Sequence, residues 1–226
     1  MDRIDLADAG FLYLETREAP MHVAGLNLLE FPKRVNQQKF MARAGESYRS
    51  TTELRKPFAH RVTDGMLGRF GPLYWERDPD LDLDYHVQRS ALPKPGRYRE
   101  LFALVSRLHS TLLDRSRPLW EAHLIEGLQD RQFAVYTKIH HALIDGIGGV
   151  RLTENSCSPD PQAVCDLSPF SVEAHERLKA QHGAAPTANL EPGENELKVI
   201  ADFFKAQLNT SAHIPVSYTH LRAHET

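Results

Sequence analysis

Phe133-Ala134-Val135-Tyr136-Thr137-Lys138-Ile139-His140-His141-Ala142-Leu143-Ile144-Asp145-Gly146 carries most of what this chain discloses about its fold and chemistry. It opens as an apolar run of strand-forming residues, and Phe133 to Leu143 reads as a strand. Leu119 to Ile125 reads as another, and the turn residues Gly127-Leu128-Gln129-Asp130 between them make the two an antiparallel pair. Side chains alternate along a strand, so Phe133, Val135, Ile139 and His141 share one face and Ala134, Tyr136, Lys138 and His140 the other. His141 is expected to point inward and His140 outward. An imidazole at the end of an apolar strand can take a proton from a hydroxyl and return it to a leaving group near neutral pH, because its ordinary pKa is ~6.5. Gly146 leaves room for the backbone to turn or for a substrate to approach.

Outward from that stretch the pattern is mixed α and β. Leu6, Ala9, Tyr13 and Leu14 follow Asp5, an N-cap type, and Pro20 closes the segment, which predicts a first helix with those four residues on its apolar face. His22 to Glu30 predicts a strand, and Asn36 caps a helix carrying Phe40, Met41, Ala44 and Tyr48. Asp80 to Val87 alternates strictly, which predicts a half-buried strand with Asp80, Asp82 and Asp84 on its wet face. A calcium loop does not fit there, since Tyr85 stands where the turn needs glycine. An amphipathic helix is expected from Tyr98 to Asp114, stopped by Pro118. A short helical stretch should follow Gly146, Gly148 and Gly149. Residues 162–195 predict a linker or crossover, and residues 196–215 a further amphipathic helix. The final stretch, 216–226, resembles a translated sequencing adapter and is set aside as non-native.

The 226 residues are 41% hydrophobic and 25% charged, which is globular composition. With 27 basic against 30 acidic residues the formal charge is −3, and no basic footprint for nucleic acid is present. Cys157 and Cys165 match neither a zinc pair nor a redox Cys-x-x-Cys. No apolar run approaches membrane-spanning length and the charged N-terminus is unlike a secretory signal, so a cytoplasmic protein is expected, with peripheral contact at the inner membrane or lipid inclusions at most.

The chain resembles the bacterial wax ester synthase/acyl-CoA:diacylglycerol acyltransferases. Its His140-His141-Ala142-Leu143-Ile144-Asp145-Gly146 is similar to the family's His-His-x-x-x-Asp-Gly signature, and Pro118-Leu119-Trp120 to its Pro-Leu-Trp element. Asp8-Ala9-Gly10-Phe11-Leu12 with Pro20-Met21-His22-Val23 resembles the family's start, and Ser158-Pro159-Asp160-Pro161 the segment trailing its active site. The resemblance implies an α/β sandwich of the chloramphenicol-acetyltransferase type, with a mixed or antiparallel sheet flanked by helices. Residues 1–161 would form the first of two domains, with residues 196–215 leading toward a missing C-terminal domain. It implies an O-acyltransferase that needs no cofactor and passes a fatty acyl group from acyl-CoA to a long-chain alcohol or diacylglycerol. His141 would be the general base, with no acyl-enzyme. His140 and Gly146 complete the motif, and Asp145 would be structural, pairing with an arginine. Pro118, Leu119 and Trp120 are candidates for lining a substrate channel, with core packing as the alternative.

Other readings stay open at this level. Condensation domains of peptide synthesis share the signature, though the Pro-Leu-Trp and N-terminal features count against them. A hydrolase lacks its Gly-x-Ser-x-Gly elbow, and the glycines at 146, 148 and 149 do not complete a dinucleotide fingerprint. Zinc held by His140, His141 and Asp145 is disfavoured because neighbouring strand residues point apart. A non-catalytic lipid-binding fragment also survives. No donor set for an oxyanion is legible.

Overall fold

A computed structural model describes residues 1–50, 53–65, 71–155, 157–158 and 167–182. The chain separates into two compact units, Met1–Ala185 and Pro186–Thr226, and every described residue lies in the first. The predicted helix at 196–215, the tail, Cys165 and Pro159-Asp160-Pro161 lie outside the described residues.

The elements run β1 (Asp2–Arg3), α1 (Leu6–Leu14), β2 (His22–Glu30), α2 (Gln37–Arg49), β3 (His60–Asp64), β4 (Leu73–Arg77), α3 (Leu83–His86), β5 (Val87–Ala91), α4 (Tyr98–Ser110), β6 (Trp120–Glu126), β7 (Gln132–His140), α5 (Gly146–Asn155) and α6 (Val172–His182). The main sheet has the order β2-β7-β6-β5. Its β2–β7 and β7–β6 pairs are antiparallel and its β6–β5 pair is parallel, the two strands being joined through α4. A smaller antiparallel sheet, β1-β4-β3, lies beside it.

Helices cover both faces of the main sheet. On one face Met41 of α2, with Phe40 and Ala44, packs on Phe133, Val135 and Leu124. On the other, Leu101, Leu104, Val105 and Leu108 of α4 pack on Ala134, Tyr136 and Ile125. Both faces of β7 are therefore core, which is why its burial does not alternate even though its side chains do. A third apolar cluster joins the lower ends of β6 and β7 to the small sheet, through Trp120, Ile139, Trp75, Phe58 and Phe170.

Local chemistry explains most boundaries. The Asn36 side chain accepts the Lys39 N–H, the bond its cap position requires, while the Asp5 carboxylate accepts the N–H of Leu6, the first residue of α1. The apolar face of α1 is not the predicted one, however. Leu6, Tyr13 and Leu14 are exposed, while Ala9 and Leu12 are buried. Asp80–Val87 is not a strand. Asp82 Oδ1 accepts the backbone N–H groups of both Asp84 and Tyr85 and caps the short α3, so a local side-chain bond overrides the alternating pattern until β5 starts at Val87. Helix α4 ends at Ser110, short of Asp114.

Within residues 162–195 the described part holds α6, and Phe170, just before it, is 1% exposed in the main core. Sequence reading also passed over β1, β3 and β4. Gly96 (φ +73) and Gly127 (φ +92) both occupy the left-handed region. A Cβ on Gly96 would collide with the Gly127 carbonyl, and the Gly96 carbonyl accepts the Gln129 N–H at 2.9 Å, so the loop before α4 rests directly on the β6–β7 turn.

Candidate active site

Strand β7 ends at His140, and the next three residues form a turn closed by the Leu143 N–H bonding the His140 carbonyl at 2.9 Å. This reverses the expected orientation of the two histidines. His140 is wholly buried, on the β7 face that also carries Lys138, while His141 lies in the turn and is half-buried. Strand alternation does not carry to His141, because β7 stops one residue before it and both faces of the strand are covered.

His141 is held by its backbone and by one aromatic ring. Its N–H donates to the Met21 carbonyl at 2.8 Å, and its imidazole stacks on Phe11 with centroids 4.1 Å apart and planes inclined by 21°. Burial pushes its pKa below the usual histidine value, outweighing a hydrogen bond to its own backbone and the Asp145 charge, which both act the other way. The ring is thus poised neutral at physiological pH, the form a general base requires. A neutral imidazole keeps one ring nitrogen as a lone-pair acceptor for a substrate proton.

His140 has a different task. Its Nδ1 accepts the Ala142 N–H at 3.0 Å, so the ring proton sits on Nε2, which faces Glu15 Oε1 at 3.4 Å. The Glu15 side chain, 2% exposed, also accepts the Met21 N–H at 3.2 Å and an Arg115 N–H at 3.1 Å. Arg115 in turn bonds the Leu12 carbonyl at the end of α1. Burial raises the Glu15 pKa, but the His140 contact, the Met21 N–H and Arg115 together bring it down to about 2. Glu15 and Arg115, a hundred residues apart in the chain, carry no sequence signal that reasoning could have used. Only Nδ1 of His140 is hydrogen-bonded; the buried Nε2 lies 3.4 Å from Glu15 Oε1 without a hydrogen-bond partner among the described residues.

Asp145 is exposed and caps α5: its Oδ1 accepts the Gly148 N–H at 2.5 Å and its carbonyl accepts the Gly149 N–H at 2.9 Å. Among the described residues it pairs with no arginine, so its structural part is played through the helix end. A Cβ at Gly148 would lie 2.7 Å from Ile144 Cγ1 and 2.9 Å from Asp145 Oδ1, so this close approach needs glycine. Gly146 is the first residue of α5.

Pro118, Leu119 and Trp120 are buried, and none of them lines the cavity next to the motif. Trp120 is 0% exposed, stacks on His86 at 4.6 Å, and donates its indole N–H to the Phe58 carbonyl at 2.8 Å. What Leu119 gives the site is backbone: its carbonyl accepts the His140 N–H at 2.9 Å. The cavity next to the motif has other walls. It measures about 320 Å³ and lies between the Val23, Gly25 and Asn27 side of β2, the Thr137 and Ile139 side of β7, and Leu152 of α5. Ile139 and Ile144, which bracket His141 in sequence, both line it, although His141 itself does not. Its walls are mostly apolar and its volume is at the lower end of the ~300–1,000 Å³ typical of small-molecule sites.

A mixed sheet between helices, ending in a histidine turn, defines a chloramphenicol-acetyltransferase-like domain. Residues 5–210 match the wax ester synthase/diacylglycerol acyltransferase catalytic domain family, and the chain belongs to that family. It is 37% identical over 201 residues to the O-acyltransferase WSD of Acinetobacter baylyi, covering 89% of this chain and 40% of that protein. It is 46% identical over 175 residues to a Mycobacterium tuberculosis protein named as a probable diacylglycerol O-acyltransferase, tgs2, covering 75% of this chain and 38% of that one. The solved wax ester synthase/diacylglycerol acyltransferase from Marinobacter aquaeolei VT8 superposes with a TM-score of 0.68 at 36% identity, over 94% of this chain and 47% of that one. The tallysomycin biosynthesis protein TlmII, at 16% identity and a TM-score of 0.51, shares the fold alone. The chain thus spans less than half the length of the relatives it matches. Among the described residues no helix is long and apolar enough to cross a membrane.

Proposed function

We propose that this chain supplies the base-bearing domain of an acyl-CoA:alcohol O-acyltransferase, with His141 as the general base. The observation that carries the reading is the His141 ring itself. It is half-buried at a strand end, braced by Phe11, kept neutral by burial, and set between two residues that line an apolar cavity. In the reaction so assigned, the unprotonated ring nitrogen of His141 accepts the proton of an alcohol or diacylglycerol hydroxyl as its oxygen attacks the thioester carbonyl. The tetrahedral intermediate collapses to the ester, the carbon–sulfur bond breaks, and the coenzyme A thiolate takes the proton back from His141. No acyl-enzyme forms.

The adjacent cavity suits a hydrocarbon chain, since burying apolar surface there returns ~25 cal/mol per Å². Relatives named as diacylglycerol O-acyltransferases and as a wax ester synthase support acyl-CoA as donor and a long-chain alcohol or diacylglycerol as acceptor. Peripheral contact with a membrane or lipid inclusion, where such acceptors reside, belongs to the same reading. The test is ester formation from palmitoyl-CoA with hexadecanol or with diacylglycerol, using the full-length product of the gene that carries this chain. His141→Ala should abolish turnover while circular dichroism and unfolding midpoint stay near wild type. Wild-type rates in that variant would remove His141 from the mechanism.

A further inference from the structure

We propose that Glu15 is a positioning residue for His141, acting through two separate contacts on the turn that presents the ring. This rests on the reading of His141 as the base and deepens it. Glu15 sits at the end of α1, and its carboxylate reaches both strands that frame the turn. From the β2 side it accepts the Met21 N–H at 3.2 Å, and the same Met21 peptide unit's neighbour carbonyl, that of Met21 itself, accepts the His141 N–H at 2.8 Å. From the β7 side its Oε1 lies 3.4 Å from His140 Nε2, while Nδ1 of that ring accepts the Ala142 N–H at 3.0 Å. The residues before and after His141 are thus tied to Glu15 through the His140 ring, and His141 itself is tied through Met21.

Helix α1 also contributes Phe11, the ring on which His141 stacks at 4.1 Å. One helix therefore supplies both the surface under the imidazole and the carboxylate that fixes its backbone. Arg115 completes the arrangement by holding Glu15 and the Leu12 carbonyl together, which prevents the carboxylate from swinging away from the turn. Its acceptor-only chemistry suits the place, since the Met21 and Arg115 N–H groups donate to its two oxygens and the otherwise unpartnered His140 Nε2 faces it at 3.4 Å. An amide there would present its NH₂ group to Arg115 or to His140 Nε2, and one of those contacts would become repulsive.

Two readouts test this. The first is the proton spectrum of the His141 ring in the 226-residue chain, where stacking on Phe11 shifts the ring protons upfield, with Phe11→Leu marking the unstacked position. Glu15→Gln is expected to move the His141 resonances toward that position. Glu15→Asp should do the same, because it keeps the charge for Arg115 but is one methylene too short to hold Met21 and His140. It therefore separates positioning from simple ion pairing, and it decides the matter if the Gln variant does not fold. The second readout is ester formation by the full-length gene product, where either variant should lower kcat on the order of tenfold to a hundredfold with the KM for acyl-CoA unchanged, as for a misplaced reacting group. His141 resonances at their wild-type positions in a folded Glu15 variant would overturn the proposal. Resonances that move while kcat is unchanged would instead leave Glu15 in its role and overturn the assignment of His141 as base.

Discussion

Lys138 lies two residues before His140 and is wholly buried, so its replacement measures what holds this end of the sheet together. Its ammonium donates to the Leu108 and Thr111 carbonyls, 2.9 Å each, and lies 3.2 Å from Glu121 Oε2, whose side chain is 12% exposed. Lys138 and Glu121 are cross-strand neighbours on β7 and β6. Lys138→Met keeps the apolar stem and removes all three polar contacts, leaving Glu121 with His123 at 3.2 Å. Breaking a buried pair from one side costs ~3–5 kcal/mol. The two carbonyls stand at the end of α4 next to exposed residues, where water can replace the lysine, so they add little and about 4 kcal/mol is expected in total. At ~2–4 °C per kcal/mol for a domain of this size, Tm should fall by roughly 8–16 °C. Adding Glu121→Gln should recover a large part of the loss, because no charge is then stranded. Urea unfolding followed by tryptophan fluorescence gives both numbers, with an unchanged slope required for comparison. A single variant within ~1 kcal/mol of wild type, or a double variant as unstable as the sum of its parts, would refute the assignment.

The pH dependence of turnover should show an acid limb below pH 6.5, because the His141 pKa is lowered and the base stays neutral down to that folded value. An acid limb above the ordinary histidine range would count against it. Stability should follow a related course. His22, His60, His86 and His141 all have lowered pKa values, so the unfolded chain takes up protons that the folded one refuses, and stability is lost as pH falls below 6.5. The contribution of Glu15 is present above 4.5 and disappears as pH falls toward about 2, which denaturation midpoints across that range would register. Trp120→Ala should cost ~3–5 kcal/mol in unfolding experiments without altering chain-length preference, since Trp120 is core. Gly25 lines the cavity and has nothing within 4 Å of an added Cβ, so Gly25→Val should fold normally and shift preference toward shorter chains in a competition assay.

Much of the fold was readable from local chemistry. His22–Glu30 was recognised to the residue because Pro20 and Pro32 bracket a Val- and Leu-rich run, and Asn36 announced α2 by its cap. The β6–β7 pair followed from its turn. The errors arose where a nonlocal or competing interaction decides. Asp82 captures two backbone N–H groups and turns an alternating stretch into a helix, and β1, β3 and β4 are short strands whose burial depends on a second sheet. The motif located the site, but not which histidine faces where, because that depends on the strand ending at His140. It could not disclose Glu15, Arg115 or Phe11, whose roles exist only once α1 lies against the turn. Trp120 shows the converse, a motif residue whose burial against His86 and Phe58 is a packing requirement.

The backbone contact between Gly96 and Gly127 makes two turns into a single rivet, with no side chain between them to yield. Lengthening either loop would pry the start of α4 from the sheet. Peptide insertions or affinity tags are therefore expected to be rejected at that corner even though its neighbours face solvent, and amide exchange at Gln129 should slow or quicken in step with the first turn of α4.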